Sequence, residues 1–136
     1  MIRDINKNVF LLSIKASPAT IADKSVGVDL MDTLKAHRKE CVGMAANMIG
    51  INKAVIIAHV GLGDIVMFNP RILSKKGIYH TEEGCLSLTG RRETVRYNEM
   101  EVEYEDMSFE KKKGKFKGFD DEIIQHELDH LEGIII

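Results

Sequence analysis

Gln125-His126-Glu127-Leu128-Asp129-His130 sets two histidines four residues apart, with a glutamate directly after the first. Positions i and i+4 share one face of a helix, so the two imidazoles can offer nitrogens to one ion from adjacent turns. Glu127 stands beside the first of them and can reach a water on such an ion as a general base. The flanks support a helix. Asp120 and Asp121 stand where an N-cap belongs, Ile123, Ile124, Leu128 and Leu131 recur at helical spacing, and Gly133 is a good terminator. A surface helix with two half-exposed histidines is the plainer alternative, and the capped start and the spacing argue against it.

A catalytic site of this kind takes three protein ligands and leaves one position open. After His130 the sequence offers only Leu131-Glu132-Gly133-Ile134-Ile135-Ile136, and Glu132 points to another side of the helix. The third ligand is therefore expected upstream, among His37, His59, His80, Glu82, Glu83, Cys41 and Cys85. Cys85 has the best setting: in Glu82-Glu83-Gly84-Cys85-Leu86-Ser87 a glycine lets the backbone turn, and a thiolate suits a borderline-soft divalent ion. Cys41 reads as a buried free thiol, since free cysteine packs mostly as a small hydrophobe.

The remainder of the chain sets the frame. At 136 residues, with 44% hydrophobic and 29% charged residues, it fits one domain over 1–136 with a core of its own. A net charge of -2 gives no basic field for nucleic acid, so DNA is not an expected partner. The apolar run Val9 to Leu12 is too short for a signal segment or a membrane span, which points to a cytoplasmic protein without a membrane partner.

An amphipathic helix is expected from about Ile21 to Lys39, and a small-residue loop over Cys41 to Gly50. Ala54 to His59 and Ile65 to Phe68 read as a hairpin around Gly61-Leu62-Gly63-Asp64, with Asn69-Pro70 closing its second strand. Arg71 to Lys75 and Thr94 to Asp106 follow as strands, and Lys111-Lys112-Lys113-Gly114 as a turn leading into Lys115-Phe116-Lys117. The lysine run reads as a solvated tip ahead of a contact with an acidic partner such as ribosomal RNA. Ile134 to Ile136 read as a short strand. The fold class is α+β, with largely antiparallel sheets around a central helix that binds the metal.

Three stretches taken together resemble the peptide deformylase family: Glu83-Gly84-Cys85-Leu86-Ser87, Gln125-His126-Glu127-Leu128-Asp129-His130, and Cys41-Val42-Gly43-Met44-Ala45-Ala46-Asn47-Met48, which is similar to the family's G-x-G-x-A-A-x-Q. The resemblance implies a metallohydrolase that removes the formyl group from the amino-terminal methionine of nascent peptides. It implies one divalent ion, Fe2+ natively with Zn2+ or Ni2+ as substitutes, held by Cys85, His126 and His130. Glu127 is then the acid/base, the Leu86 backbone N–H helps to hold the oxyanion, and Gln125 orients the site without touching the metal. Gly43, Met48 and Ile123 are expected to border an apolar methionine pocket. Glu122 is a polar neighbour able to narrow it. The partner is a formylated nascent peptide, with transient ribosome contact.

Two positions depart from the family pattern. Cys41 replaces its first glycine and Met48 its glutamine, whose amide is the expected donor to the formyl oxygen. A thioether has no proton to donate. Asn47 carries an amide next door, although in extended backbone it would face the other way. The departure opens an alternative: a catalytically weak deformylase-like protein that binds metal and amino-terminal methionine peptides without efficient turnover. A short zinc protease is disfavoured by the missing downstream ligand.

Overall fold

The computed structural model describes every residue except Leu62, Leu86, Leu88, Thr89, Ile135 and Ile136. Helix α1 (Val9–Leu12) and helix α2 (Lys24–Ala36), the latter entered through a 3-10 turn at Ile21–Asp23, precede the sheet. Five strands follow, β1 (Gly43–Ala45), β2 (Val55–Val60), β3 (Gly63–Gly84), β4 (Arg91–Glu105) and β5 (Lys111–Lys117), and then helix α3 (Gly118–Leu131). The strands lie in the order β1-β2-β3-β4-β5, every neighbouring pair antiparallel. This is the expected α+β architecture.

Side-chain alternation along the strands decides what each face of the sheet buries. Val55 and Ile57 of β2, with Val66 and Phe68 of β3, pack beneath Val26, Leu30 and Leu34 of α2. Ile56, Ala58 and Val60, with Met67, Met100 and Val102, pack against Ile123, Ile124, Leu128 and Leu131 of α3. Strand β2 thus has a helix on each side, which is why Ala54 to His59 reads as a nearly continuous apolar run rather than an alternating one.

Farther along the sheet, beyond α2, the exposed face carries an ion ladder. Glu99, Glu101, Glu103 and Glu105 of β4 stand opposite Lys117, Lys115, Lys113 and Lys111 of β5. Arg71 and Lys76 of β3 add contacts to Glu103 and Glu99 at 2.8 and 3.1 Å. The lysine run is therefore a strand facing carboxylates, not a turn; the reversal lies at 106–110, where the Asp106 carboxylate accepts from the Ser108 and Glu110 N–H groups. Opposite charges across a strand pair favour pairing.

Other boundaries moved for local reasons. β3 does not close at Asn69-Pro70. Its register slips between Phe68 and Arg71, and Asn69 takes φ 52, a bulge that suits an asparagine and a proline with no N–H to give. The first main helix is shorter than 21–39. The expected loop over Cys41 to Gly50 contains β1 and a buried 3-10 turn at Ala46–Ile49. Helix α3 begins at Gly118 with Lys117 as its cap, so Asp120 and Asp121 belong to its first turn. Ile134 is not in a strand, and Ile135 and Ile136 lie outside the described residues.

Asp121 is fully buried, and neither of its carboxylate oxygens has a hydrogen-bond partner among the described residues. Burial pushes its pKa up to about 7, with Gln125 opposing the rise and Glu99 adding to it. The folded chain therefore keeps a proton that the unfolded chain, with an ordinary carboxyl pKa of about 4, releases sooner. The stabilisation is complete below about pH 4 and is lost as the pH rises to the folded value. Urea unfolding should show wild-type stability declining over that window. Asp121→Ala should flatten the decline and leave the variant more stable than wild type at pH 8 by about 1–3 kcal/mol. Identical pH slopes would show that Asp121 ionises normally in the fold.

Candidate active site

β3 ends at Gly84, and Cys85 follows it directly, facing the helix that carries the two histidines. One ligand atom from each of Cys85, His126 and His130 lies within 4.8 Å of the others. The two Nε2 atoms are 3.2 Å apart with ring centroids at 4.9 Å, so both imidazoles point at a common place. Two nitrogens bound to one tetrahedral ion at about 2.0–2.1 Å are ~3.4 Å apart, close to the observed spacing. The donor set suits a divalent metal, and the buried His130, its pKa drawn down to about 3 by burial first and then by His126 and Arg96, is neutral with a lone pair to give.

A buried ion network fixes this arrangement. His126 Nδ1 donates to Glu83 Oε1 at 2.7 Å, which turns Nε2 towards the metal position. Arg96 of β4 donates to both Glu83 oxygens, at 2.6 and 3.0 Å, and to Asp129 Oδ2 at 2.7 Å. Burial works against the Glu83 charge, but His126 and Arg96 hold its pKa down at about 2. Gln125 locks α3 to β4 by accepting from the Tyr97 N–H and donating to the Tyr97 carbonyl, both at 2.8 Å. Among the described residues its side chain has no hydrogen bond to a member of the ligand set.

Glu83 and His126 border a cavity of about 450 Å³ that is also lined in part by Gly43, Met48, Cys85, Ile123 and Glu127. Glu127 is buried, its Oε1 has no partner among the described residues, and burial pushes its pKa up to about 7 while His126 opposes the rise. Gly43 is required by close approach: a Cβ there would lie 2.9 Å from Glu127 Oε2 and 2.9 Å from Ile123 Cγ2.

The family model for polypeptide deformylase matches residues 2–136. The chain belongs to the peptide deformylase family. A peptide deformylase of Clostridium beijerinckii is 52% identical over 136 residues, covering all of both chains. The crystal structure of a peptide deformylase from Thermotoga maritima superposes with a TM-score of 0.89 at 28% identity, over 99% of this chain and 95% of that one. A Met-Ala-Ser-bound class I type b peptide deformylase from Acinetobacter baumannii gives 0.89 at 28% identity, over 99% and 97%.

Within this deformylase scaffold the expected pocket residues Gly43, Met48 and Ile123 all border the cavity, whose lining also carries charged side chains. Glu40, Glu82, Glu122 and Arg91 share it with Val42 and Phe119. Glu122 is tethered by the Tyr79 hydroxyl, which donates to it at 3.2 Å. Leu86 lies outside the described residues. Asn47 cannot stand in for the missing glutamine: its Nδ2 donates to the His130 carbonyl at 2.8 Å. Cys41 borders the cavity without joining the ligand set. Its thiol donates to the Gly43 carbonyl at 3.1 Å, and burial, against the pull of that bond, pushes its pKa up to about 12. Of the other upstream candidates, His59 is engaged with Asp64 and Arg38.

Sequence reading missed Arg96 and Asp129. The signal was available in strand parity, since Arg96 shares the inward register of Met100 and Val102. Arg96→Met should destabilise the protein by about 3–5 kcal/mol by leaving Glu83 buried without its partner. It should also weaken metal retention, measured by chelator competition, because His126 loses a fixed acceptor. Unfolding curves that overlay those of wild type would refute the role given to the pair.

Proposed function

We propose that this deformylase removes the formyl group from the amino-terminal methionine of nascent peptides through the cavity where Cys85, His126, His130 and Glu127 meet. The observation that carries the assignment of roles is this convergence: Cys85, His126 and the buried Glu127, whose Oε1 has no partner among the described residues, line one cavity, and His130 completes the donor cluster behind them. Cys85, His126 and His130 would hold one divalent ion, Fe2+ natively with Zn2+ or Ni2+ as substitutes. Such an ion would supply Lewis acidity for the attacking water and the formyl carbonyl.

Glu127 accepts a proton from the water whose oxygen bonds to the formyl carbon. As the C–N bond breaks, the same carboxyl delivers the proton to the departing amine, so the products are formate and a free amino terminus. The Leu86 backbone N–H is the proposed donor to the developing oxyanion. Ile123 and Gly43 border the methionine side chain, and Gly43 keeps the space beside Glu127 clear. Met-Ala-Ser, bound in the structure of the Acinetobacter relative, has the chemistry of a deformylated product, which supports formyl-Met-Ala-Ser as the test substrate. A cytoplasmic setting and transient contact with ribosomes follow from a substrate that is a nascent chain.

A second reading, metal and peptide binding with little turnover, is favoured by Met48, whose side chain borders the cavity at 1% exposure where the family places an amide donor. The two readings separate on initial rates. Glu127→Gln should retain its metal and lose activity on formyl-Met-Ala-Ser by about 10²–10⁴-fold; unchanged turnover in a fully loaded variant would remove Glu127 from the mechanism. Met48→Gln should raise kcat by up to about 10²-fold with KM little altered, because an oxyanion donor acts mainly on charge in the transition state. A variant that folds, holds metal and gains nothing would show that the missing amide does not limit the rate.

A further inference from the structure

The 3-10 turn at Ala46–Ile49 brings the Met48 thioether to Cys85 as well as to the core. Met48 Sδ lies 3.9 Å from Cys85 Sγ. Two sulfurs bound to one tetrahedral ion at about 2.3 Å are ~3.8 Å apart, so the sulfur pair has the spacing of a ligand edge, as the 3.2 Å histidine nitrogen pair also does. The other polar contact of Met48 Sδ is a long one, 3.5 Å from the Ala45 N–H. The Cys85 thiol donates to Met48 Sδ across the 3.9 Å contact, and deprotonation of that thiol to a thiolate ligand releases the thioether lone pair.

We propose that Met48 Sδ is a fourth protein ligand, completing a Cys85-His126-His130-Met48 set. The proposal rests on the three-ligand centre described above and adds a donor to it. A set of one thiolate, one thioether and two imidazoles is softer than thiolate and imidazoles with water, and it shifts selectivity towards cuprous ion over zinc. A weakly held thioether competes with water for the fourth position, so the resting centre is partly closed by its own side chain. This gives Met48 a chemical role distinct from the absent amide.

The test is X-ray absorption at the cobalt edge of the whole protein loaded anaerobically with cobaltous ion, in wild type, Met48→Leu, Met48→Gln and Cys85→Ser. Leucine nearly conserves the methionine volume, so folding should be kept; glutamine provides a second, polar replacement. Two sulfurs in the wild-type first shell, falling to one in both Met48 variants and in Cys85→Ser, is the expected result. Competition between cuprous ion and zinc should also show the preference for copper falling on the order of tenfold in Met48→Leu. One sulfur in wild type, kept in Met48→Leu and lost in Cys85→Ser, overturns Met48 ligation and leaves the three-ligand centre standing. Two sulfurs that persist in Met48→Leu overturn it as well, by pointing to another donor. No sulfur in wild type overturns both this proposal and the three-ligand centre.

Discussion

The Arg96 guanidinium, 3% exposed and clasped between Glu83 and Asp129, is the constraint on which the site depends. It lies in β4, Glu83 in β3 and Asp129 in α3, so one planar cation fixes two strands against the helix that carries both histidines. Glu83 passes the constraint on through its bond to His126 Nδ1. A buried ion cluster gains little net stability over apolar packing, because desolvation offsets most of the attraction. Its effect is positional. With the guanidinium held at fixed bond lengths, His126 has one favoured ring orientation, and the ring nitrogen that remains faces His130.

The sheet supplies the rest of the precision by leaving α3 little freedom to slide. Ile123, Ile124, Leu128 and Leu131 enter the face made by Ile56, Ala58, Met67, Met100 and Val102, and the Gln125 amide reads both the N–H and the carbonyl of Tyr97. A one-residue slip of the helix would break both Gln125 bonds and turn its apolar stripe off the sheet. Gly43 belongs to the same logic from the other side: β1 can approach α3 closely because position 43 has no Cβ to meet Glu127 or Ile123. Burial of Glu127 follows from that approach, and burial is what raises its pKa.

How legible this was in the sequence varied with how local the cause is. His126, Glu127 and His130 follow from helical spacing alone, and the β2–β3 hairpin from its glycines. Cys85 needed elimination, because nothing in the spacing between residues 85 and 126 says that β3 ends against α3. Lys111 to Gly114 reads as a turn rather than the start of β5 because lysines and a glycine look like a tip until Glu103 and Glu105 are placed opposite Lys113 and Lys111. The Cys41 to Gly50 stretch was misread as a loop for a related reason. Its small residues do permit close approach, but what they approach, β2 and α3, is set by chain partners far away in sequence, so the short strand and buried turn do not show locally. Arg96 was hidden by its type, since an arginine in a charged strand is ordinarily solvated; only its parity with Met100 and Val102 marks it as inward.

The two departures from the family pattern, at 41 and 48, differ in what their surroundings allow. Cys41 turns to the start of β1, where the Gly43 carbonyl accepts a hydrogen bond from its thiol and burial keeps the thiol neutral, so it is poorly placed to act as a ligand. Met48 stands in a turn tied to the helix it serves. Asn47 Nδ2 donates to the His130 carbonyl at 2.8 Å, while the Asn6 backbone N–H donates to the Met48 carbonyl at 2.6 Å and its amide to the Asn47 carbonyl at 3.0 Å. The backbone of Met48 is thus anchored on one side to the residue that carries a metal-facing imidazole and on the other to the amino-terminal segment. A shift of α3 that moved His130 would carry the Met48 backbone with it, so the methionine side chain extends from an anchor fixed relative to that helix. An amide at position 48 would inherit the same fixed backbone, and whether it donates to a formyl oxygen depends on three side-chain torsions alone.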